Sequence, residues 1–293
     1  MLALVREATF GHDLIDWFDD DGFPRLLSRL NPIDLRDGDV SAMKDRSIYL
    51  NTLANMVRMH AERRTSHVLI TPLNGNWGAF ATTIPHRTID WGNWEEQLGI
   101  ERCTPEQVRQ YLDDPMVRAV VATQQTVFSH RAIMTLPIGV DHSDAIGDYL
   151  VKADETKTQE LLISNSGWGH RKQINERVAA NFDRRIVNWY PMQQSDYYGA
   201  IARSKFVLCP SGLGWDSCRV WETLILGSIP IVEYSHGWHT VLDDLPALFV
   251  TNFNEVTPAL LASAYPLLMG KCAHFNFAKL TKWWWVSKIT AAS

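Results

Sequence analysis

The residues best equipped for chemistry in this 293-residue chain gather in one stretch, 204–232. The apolar run Lys205-Phe-Val-Leu-Cys209 leads into Pro-Ser211-Gly212-Leu-Gly214-Trp-Asp216-Ser217. Then come Cys218-Arg219-Val-Trp-Glu222-Thr-Leu-Ile-Leu226, Gly227 and a second apolar run, Ile229-Pro-Ile-Val232. This reads as strand, glycine-bearing loop, helix capped by Asp216 or Ser217, glycine stop and strand. In a parallel sheet the loop at the carboxyl end of a strand faces the ligand crevice, and Gly212 and Gly214 beside Ser211 let the backbone approach a ligand closely. The helix N-terminus points at the same place, where free N–H groups and the helix dipole favour an anion such as a diphosphate. Arg219 falls in the first turn, where the dipole disfavours a cation unless an anion offsets it, which makes it a candidate phosphate ligand. Glu222, three residues on, shares its face and is placed to accept hydrogen bonds from ribose hydroxyls. Val220, Trp221, Leu224 and Ile225 form the opposing apolar stripe. The alternative is a plain Arg–Glu pair on a solvated helix face.

Elements on both sides must position this stretch. Polar helical segments alternate with short apolar runs from residue 41 onward, which predicts an α/β protein with largely parallel sheets. In the first half the helical segment 49–63 precedes the strand-like run His67-Val-Leu-Ile-Thr71. A helix over 105–112 precedes Val117-Arg-Ala-Val-Val-Ala122, and Ala132-Ile-Met-Thr-Leu136 follows. The polar segment 141–157 carries no strand signal and is expected to connect two domains. A second series then runs through Glu160-Leu-Leu-Ile-Ser164, a loop at 166–170, a helix over 172–180, a short strand Ile186-Val-Asn188 and a helix capped by Ser195 through 203. The simplest architecture is two Rossmann-like halves facing a cleft.

Composition narrows the function classes. With 46% hydrophobic and 21% charged residues, the chain can bury one full core or two smaller ones. The balance of 28 Lys+Arg against 33 Asp+Glu, a net charge of -5, and the lack of a dense basic block argue against a nucleic-acid partner. The four cysteines, Cys103, Cys209, Cys218 and Cys272, form no C-x-x-C pair and are expected to be mostly buried thiols. The first eight residues turn charged too early for a signal segment, and no apolar run approaches about 18 residues, so no membrane span and a cytoplasmic location are expected. Asp37-Gly-Asp39 and Asp19-Asp-Asp21 resemble metal-binding carboxylate pairs, but neither follows a buried strand, and turn or capping use is the better reading.

The pattern Ser204-Lys-Phe-x-Leu-Cys-Pro-x-Gly-x-Gly-x-Asp-x-x-Arg-x-Trp-Glu-x-Leu-x-Leu-Gly-x-Ile-Pro-Ile-Val232, continued by Leu242-Asp-Asp-Leu-Pro246, resembles the signature of the exostosin-like glycosyltransferases. Arg36-Asp-Gly-Asp-Val40, Val68-Leu-Ile-Thr71 and Leu136-Pro-Ile-Gly-Val140 are similar to upstream parts of that family. The likeness is dense over 160–260 and patchy before it. It implies a GT-B arrangement, with an acceptor-binding domain at 1–140 completed by a terminal helix at 275–293, and a nucleotide-sugar-binding domain at 141–274. It also implies a UDP-sugar donor, transfer to a glycan hydroxyl with inversion, and no cofactor or essential metal.

Carried over by position, Arg219 would meet the diphosphate and Glu222 the ribose. Arg171, after the loop that follows the first strand of the second domain, would be a further phosphate ligand. His236, in the segment His236-Gly-Trp-His239 expected as a loop, would meet the transferred sugar or the uracil. The general base should come from the first half, with Asp13 and His142 chosen among His12, Asp13, His130, Asp141 and His142. Asn74 and Trp77, with Trp91 and Trp94 nearby in sequence, are candidates for contact with the acceptor. Related chains often carry an acidic residue after the strand matching 68–71, where this one has Asn74-Gly-Asn-Trp77-Gly. A non-catalytic nucleotide-sugar or glycan-binding protein is therefore the competing expectation. Xylose, galactose and glucuronic acid are the donor sugars to consider. Trp283–Trp285 would lie on the terminal helix, packed across the first domain or, with Lys279, Lys282 and Lys288, against a lipid surface.

Overall fold

A computed structural model describes residues 1–11, 14, 67–71, 105–123, 130–140, 143–152, 156–164, 170–183, 187–188, 194–211 and 216–292. It is a mixed α/β structure with parallel sheets. By contact the chain divides into two compact units, Met1–Phe18 with Gly139–Trp284, and Asp19–Ile138 with Trp285–Ser293.

In the second of these units β1 (His67–Thr71), β2 (Val117–Thr123) and β3 (Ile133–Leu136) pair in parallel in that order, with helix α2 (Pro105–Asp113) before β2. Val117, Ala119, Val120 and Val121 are all buried, the near-continuous apolar run that a parallel strand covered on both faces requires. The segment 49–63 lies outside the described residues.

The other unit is built on β4 (Gln159–Leu162), β5 (Val187–Asn188), β6 (Ser204–Leu208), β7 (Ile229–Glu233) and β8 (Leu248–Val250). All pair in parallel, in the spatial order β5-β4-β6-β7-β8. Helices α4 (His170–Ala179), α5 (Gln194–Arg203), α6 (Cys218–Ile225) and α7 (His236–Leu242) connect successive strands. The step from β4 to β5 runs one way along the sheet and every later step runs the other. Right-handed crossovers then place α4 on one face and α5, α6 and α7 on the opposite face. The core agrees. Leu161, Ile163, Phe206, Leu208, Ile229, Ile231 and Val250 cluster with Val178 of α4 and with Leu261 and Ala264 of helix α8 (Pro258–Gly270). The alternate residues Leu162, Val207 and Val232 are also buried, on the face of α5 and α6.

Several elements differ from the sequence expectation. Segment 141–157 holds helix α3 (Ser143–Lys152), which buries Ile146 and Leu150 one turn apart. Helix α5 begins at Gln194, so Ser195 lies inside its first turn instead of capping it. His236 opens helix α7 and is not in a loop, because the Ser235 side chain caps that helix by accepting from the Trp238 amide. Helix α1 (Leu2–Thr9) packs into the 139–284 unit, with Arg6 Nε donating to the Leu150 carbonyl at 2.8 Å.

The terminal segment is tied down by a buried cation. Lys279 pairs with Asp243 and Asp244 and lies 5.5 Å from the centroid of Trp284. Helix α9 (Lys282–Ala292) buries Trp285 and Ile289 and exposes Trp283. Among the described residues no helix is long and apolar enough to cross a membrane.

Helix α6 stops at a left-handed residue, Gly227, with φ +69°. A Cβ there would meet Leu2 Cβ at 3.0 Å and Leu2 Cα at 3.1 Å, whereas Gly11, at φ +72°, faces open space. Gly11→Ala should cost only the left-handed backbone penalty of about 1 kcal/mol. Gly227→Ala adds the clash with α1 and should cost about 2 kcal/mol or more, read as the difference between their urea unfolding free energies.

Candidate functional site

The order β5-β4-β6-β7-β8 has one reversal. The connection leaving β4 goes to one face and the connection leaving β6 goes to the other, so a crevice opens between their carboxyl ends. In chain order these connections lead into α4 and α6. Arg171, in the first turn of α4, donates from Nε to the Ser211 carbonyl at 3.0 Å, and Ser211 Oγ lies 3.3 Å from His170 Nε2. These contacts join the two chain segments across the reversal point.

On the other side, α6 starts after Ser217, which has the extended N-cap backbone but makes no side-chain capping bond. Its Oγ is buried without a hydrogen-bond partner. Asp216, the alternative cap in the sequence, instead accepts from the buried Trp221 Nε1 at 2.9 Å and fixes how the first turn sits on the core. Arg219 Nε is likewise buried without a hydrogen-bond partner. Such orphaned donors in a native structure call for an explanation, and a ligand is one.

Electrostatics point the same way. Arg171 is pulled down to about 10, first by burial and then by the charge of Arg219. It stays protonated at neutral pH, so two guanidinium charges from opposite faces of the sheet act on one another across the crevice. For Arg219 itself burial works downward, but Tyr197, Cys209 and Glu222 outweigh it and the group is raised. Its guanidinium carbon lies 5.9 Å from the centroid of the Tyr197 ring. Among the described residues no ion pair joins Arg219 to Glu222; Glu222 Oε2 accepts the Tyr197 hydroxyl at 3.0 Å instead. The ordinary Arg–Glu pair of a solvated helix face is thus not what forms.

Cys209 directly follows β6 and is buried. Its thiol donates to the Val207 carbonyl at 3.4 Å and lies 3.8 Å from Thr223 Oγ1. Two guanidiniums, a helix N-terminus and unpartnered donors make a site suited to a polyvalent anion, with a carboxylate one turn further along.

Of the residues expected from sequence, Arg171, Ser211, Arg219 and Glu222 come together here. Gly212 and Gly214, Asp13, His142, Asn74 and Trp77 lie outside the described residues, as do His12, Trp91, Trp94 and Asp141 and the His236 side chain. His130, one of the base candidates, has both ring nitrogens engaged. Nδ1 accepts the Ala132 amide at 3.1 Å, so the proton is on Nε2, which faces Asp113 Oδ1 at 3.1 Å. That arrangement shapes the turn before β3 and does not suit a general base. The residue sequence reasoning missed is Tyr197, which arrives from α5. Among the described residues no group of three or more His, Cys, Asp or Glu is arranged to hold a metal ion. Comparison with known proteins finds no family model that matches this chain and no matching curated protein.

Burial pushes the Cys209 thiol up from its usual 9 to about 12. Unfolding lets it ionise near 9, so its contribution to stability is full below that pH and is lost as pH rises towards 12. Urea midpoints measured from neutral to alkaline pH should fall through that window, and Cys209→Ala should make the fall shallower.

Proposed function

We propose that the chain is an inverting glycosyltransferase that moves a sugar from a UDP-sugar to a glycan hydroxyl, with xylose, galactose and glucuronic acid as the donor sugars to test. The observation that carries this reading is the convergence of Arg171 and Arg219 at the reversal point of the sheet, where a buried Arg219 Nε has no hydrogen-bond partner. The motif resemblance over 160–260 says which anion such a site would take.

In the transfer, the bond from the anomeric carbon to the diphosphate oxygen breaks as a bond to the acceptor oxygen forms on the opposite face. The acceptor proton goes to a base, and UDP leaves with the extra charge. Arg171, Arg219 and the α6 N-terminus would meet that developing charge, and preorganised cations in a water-poor site act most strongly there. Glu222 would receive ribose hydroxyls, while Ser211, Gly212 and Gly214 would let the loop close on the phosphates and His236 would approach the sugar or base. Asp13 or His142 would act as base, and Asn74 and Trp77 would contact the acceptor. The two-domain GT-B arrangement, 1–140 with 275–293 against 141–274, belongs to the same proposal.

A nucleotide-sugar-binding protein without turnover is the second reading. The observation favouring it is that His130, a first-half candidate for the base, is committed to Ala132 and Asp113.

A thermal-shift panel of UDP, GDP, ADP, CMP and UDP-sugars, with and without Mg2+, tests the site, because a ligand of the native state raises the midpoint by mass action. UDP and one UDP-sugar should raise it, with or without chelator. Arg219→Ala should weaken UDP at least about tenfold, the loss of one charge-assisted contact. No shift with any nucleotide would overturn both readings. Incubating the selected UDP-sugar with glycan acceptors then separates them: a mass increase of one sugar on the acceptor marks a transferase, and binding without product marks the second reading.

A further inference from the structure

We propose that Ser217 is a further ligand of the bound anion, its hydroxyl held back from capping α6 and available to donate to a phosphate oxygen; this rests on the nucleotide-sugar reading above. A serine at the N-cap ordinarily accepts the N2 or N3 amide of its helix. The same unit shows that use twice. Ser235 accepts the Trp238 amide at the start of α7 and Thr257 accepts the Leu260 amide at the start of α8, each at 3.2 Å. Ser217 has the same extended backbone, with φ -144° and ψ 142°, yet its side chain makes no capping bond. The backbone has taken over that task, because the Val220 amide, at N3, donates to the Ser217 carbonyl at 3.0 Å.

The Ser217 Oγ is therefore left buried with no hydrogen-bond partner. A sheltered hydroxyl has no water to replace the missing bond, so leaving it unmade costs stability. A second orphan stands two residues on. The Arg219 guanidinium hydrogen-bonds the Tyr197 side chain, but its Nε stays buried and unpartnered. Two unused donors, from the N-cap and N2 residues, thus belong to the first turn of one helix, at the end where free N–H groups and the dipole favour negative charge. The oxygens of a phosphate or diphosphate have lone pairs for both, and a bond from a hydroxyl to such an oxygen is charge-assisted.

The test is calorimetric binding of inorganic pyrophosphate and UDP to the wild type, Ser217→Ala and Ser235→Ala, with the urea midpoint of each measured alongside. Ser217→Ala should bind both ligands about tenfold more weakly, the loss of one hydrogen bond to a charged group. Its urea midpoint should stay at or above the wild-type value, because no native hydrogen bond is removed. Ser235→Ala should do the reverse, with a lowered midpoint and wild-type affinity. Affinities of Ser217→Ala within about twofold of wild type would overturn the proposal and leave the nucleotide reading intact. A Ser217→Ala midpoint lowered as far as that of Ser235→Ala would do the same, since it marks an ordinary cap. A wild type that binds neither pyrophosphate nor UDP would overturn both.

Discussion

Two like charges held partly out of water beside one another are the constraint around which the 139–284 unit is arranged. A guanidinium cannot shed its proton at neutral pH, so the fold must bear the cost of Arg171 and Arg219 or offset it. The unit's other buried or half-buried cations show how completely it can offset such a cost. Lys279 is met by Asp243 and Asp244, Lys205 by Glu160 at 2.8 Å, and Lys157 by the Ala202 carbonyl and Ser228 Oγ, both at 2.7 Å. Arg219 is treated differently. It is set against an aromatic face and the neighbouring carboxylate is drawn to another partner, leaving a buried donor unused. A local rule obeyed at the other cations is relaxed at this one, in a sheet crevice, where real sequences most often depart from such rules.

The arrangement persists because both ends of α6 are pinned. At its start, Asp216 holds Trp221 Nε1 against the core. At its end, Gly227 turns left-handed under Leu2, and the Ser228 hydroxyl reaches the Ile201 and Ser204 carbonyls at 2.7 and 2.8 Å. Those carbonyls belong to the end of α5 and the start of β6. One hydroxyl, together with Lys157, therefore sets the helix that carries Tyr197 against the turn that ends the helix carrying Arg219. Placement of the Tyr197 hydroxyl thus depends on contacts made at the other end of its helix.

The parallel α/β character and the 204–232 unit were legible because the signals were local. Short apolar runs followed by Pro, Gly or Asn, or set between such residues, marked β2, β4, β6 and β7, and the apolar stripe of Val220, Trp221, Leu224 and Ile225 marked α6 to within a residue of its ends. Helix α3 was hidden because it buries just two large side chains one turn apart in a segment otherwise rich in Asp and small residues. Helix α8 gave no periodic signal because Pro258–Gly270 is apolar nearly all round. Gly237 between His236 and His239 suggests a loop in the sequence, although Ser235 supplies a cap for helix α7. In the site, Arg171 and Arg219 could be placed from strand-end logic. Tyr197 could not, since its contacts with Glu222 and Arg219 depend on the distance between two helices, and an Asp-Tyr-Tyr sequence in a polar helix resembles many surface helices.

The same geometry bears on what kind of binding the site favours. Cations that already repel one another gain more from each added negative charge than a single solvated cation would, because the anion relieves their mutual repulsion as well as attracting each. A ligand whose charge grows during reaction is then held more tightly as it reacts, which is the condition for accelerating a step in contrast to merely retaining a substrate. A departing diphosphate is such a ligand, and a neutral sugar is not. If Arg219 were instead paired with Glu222, the helix would present a dipolar surface with little preference for added charge.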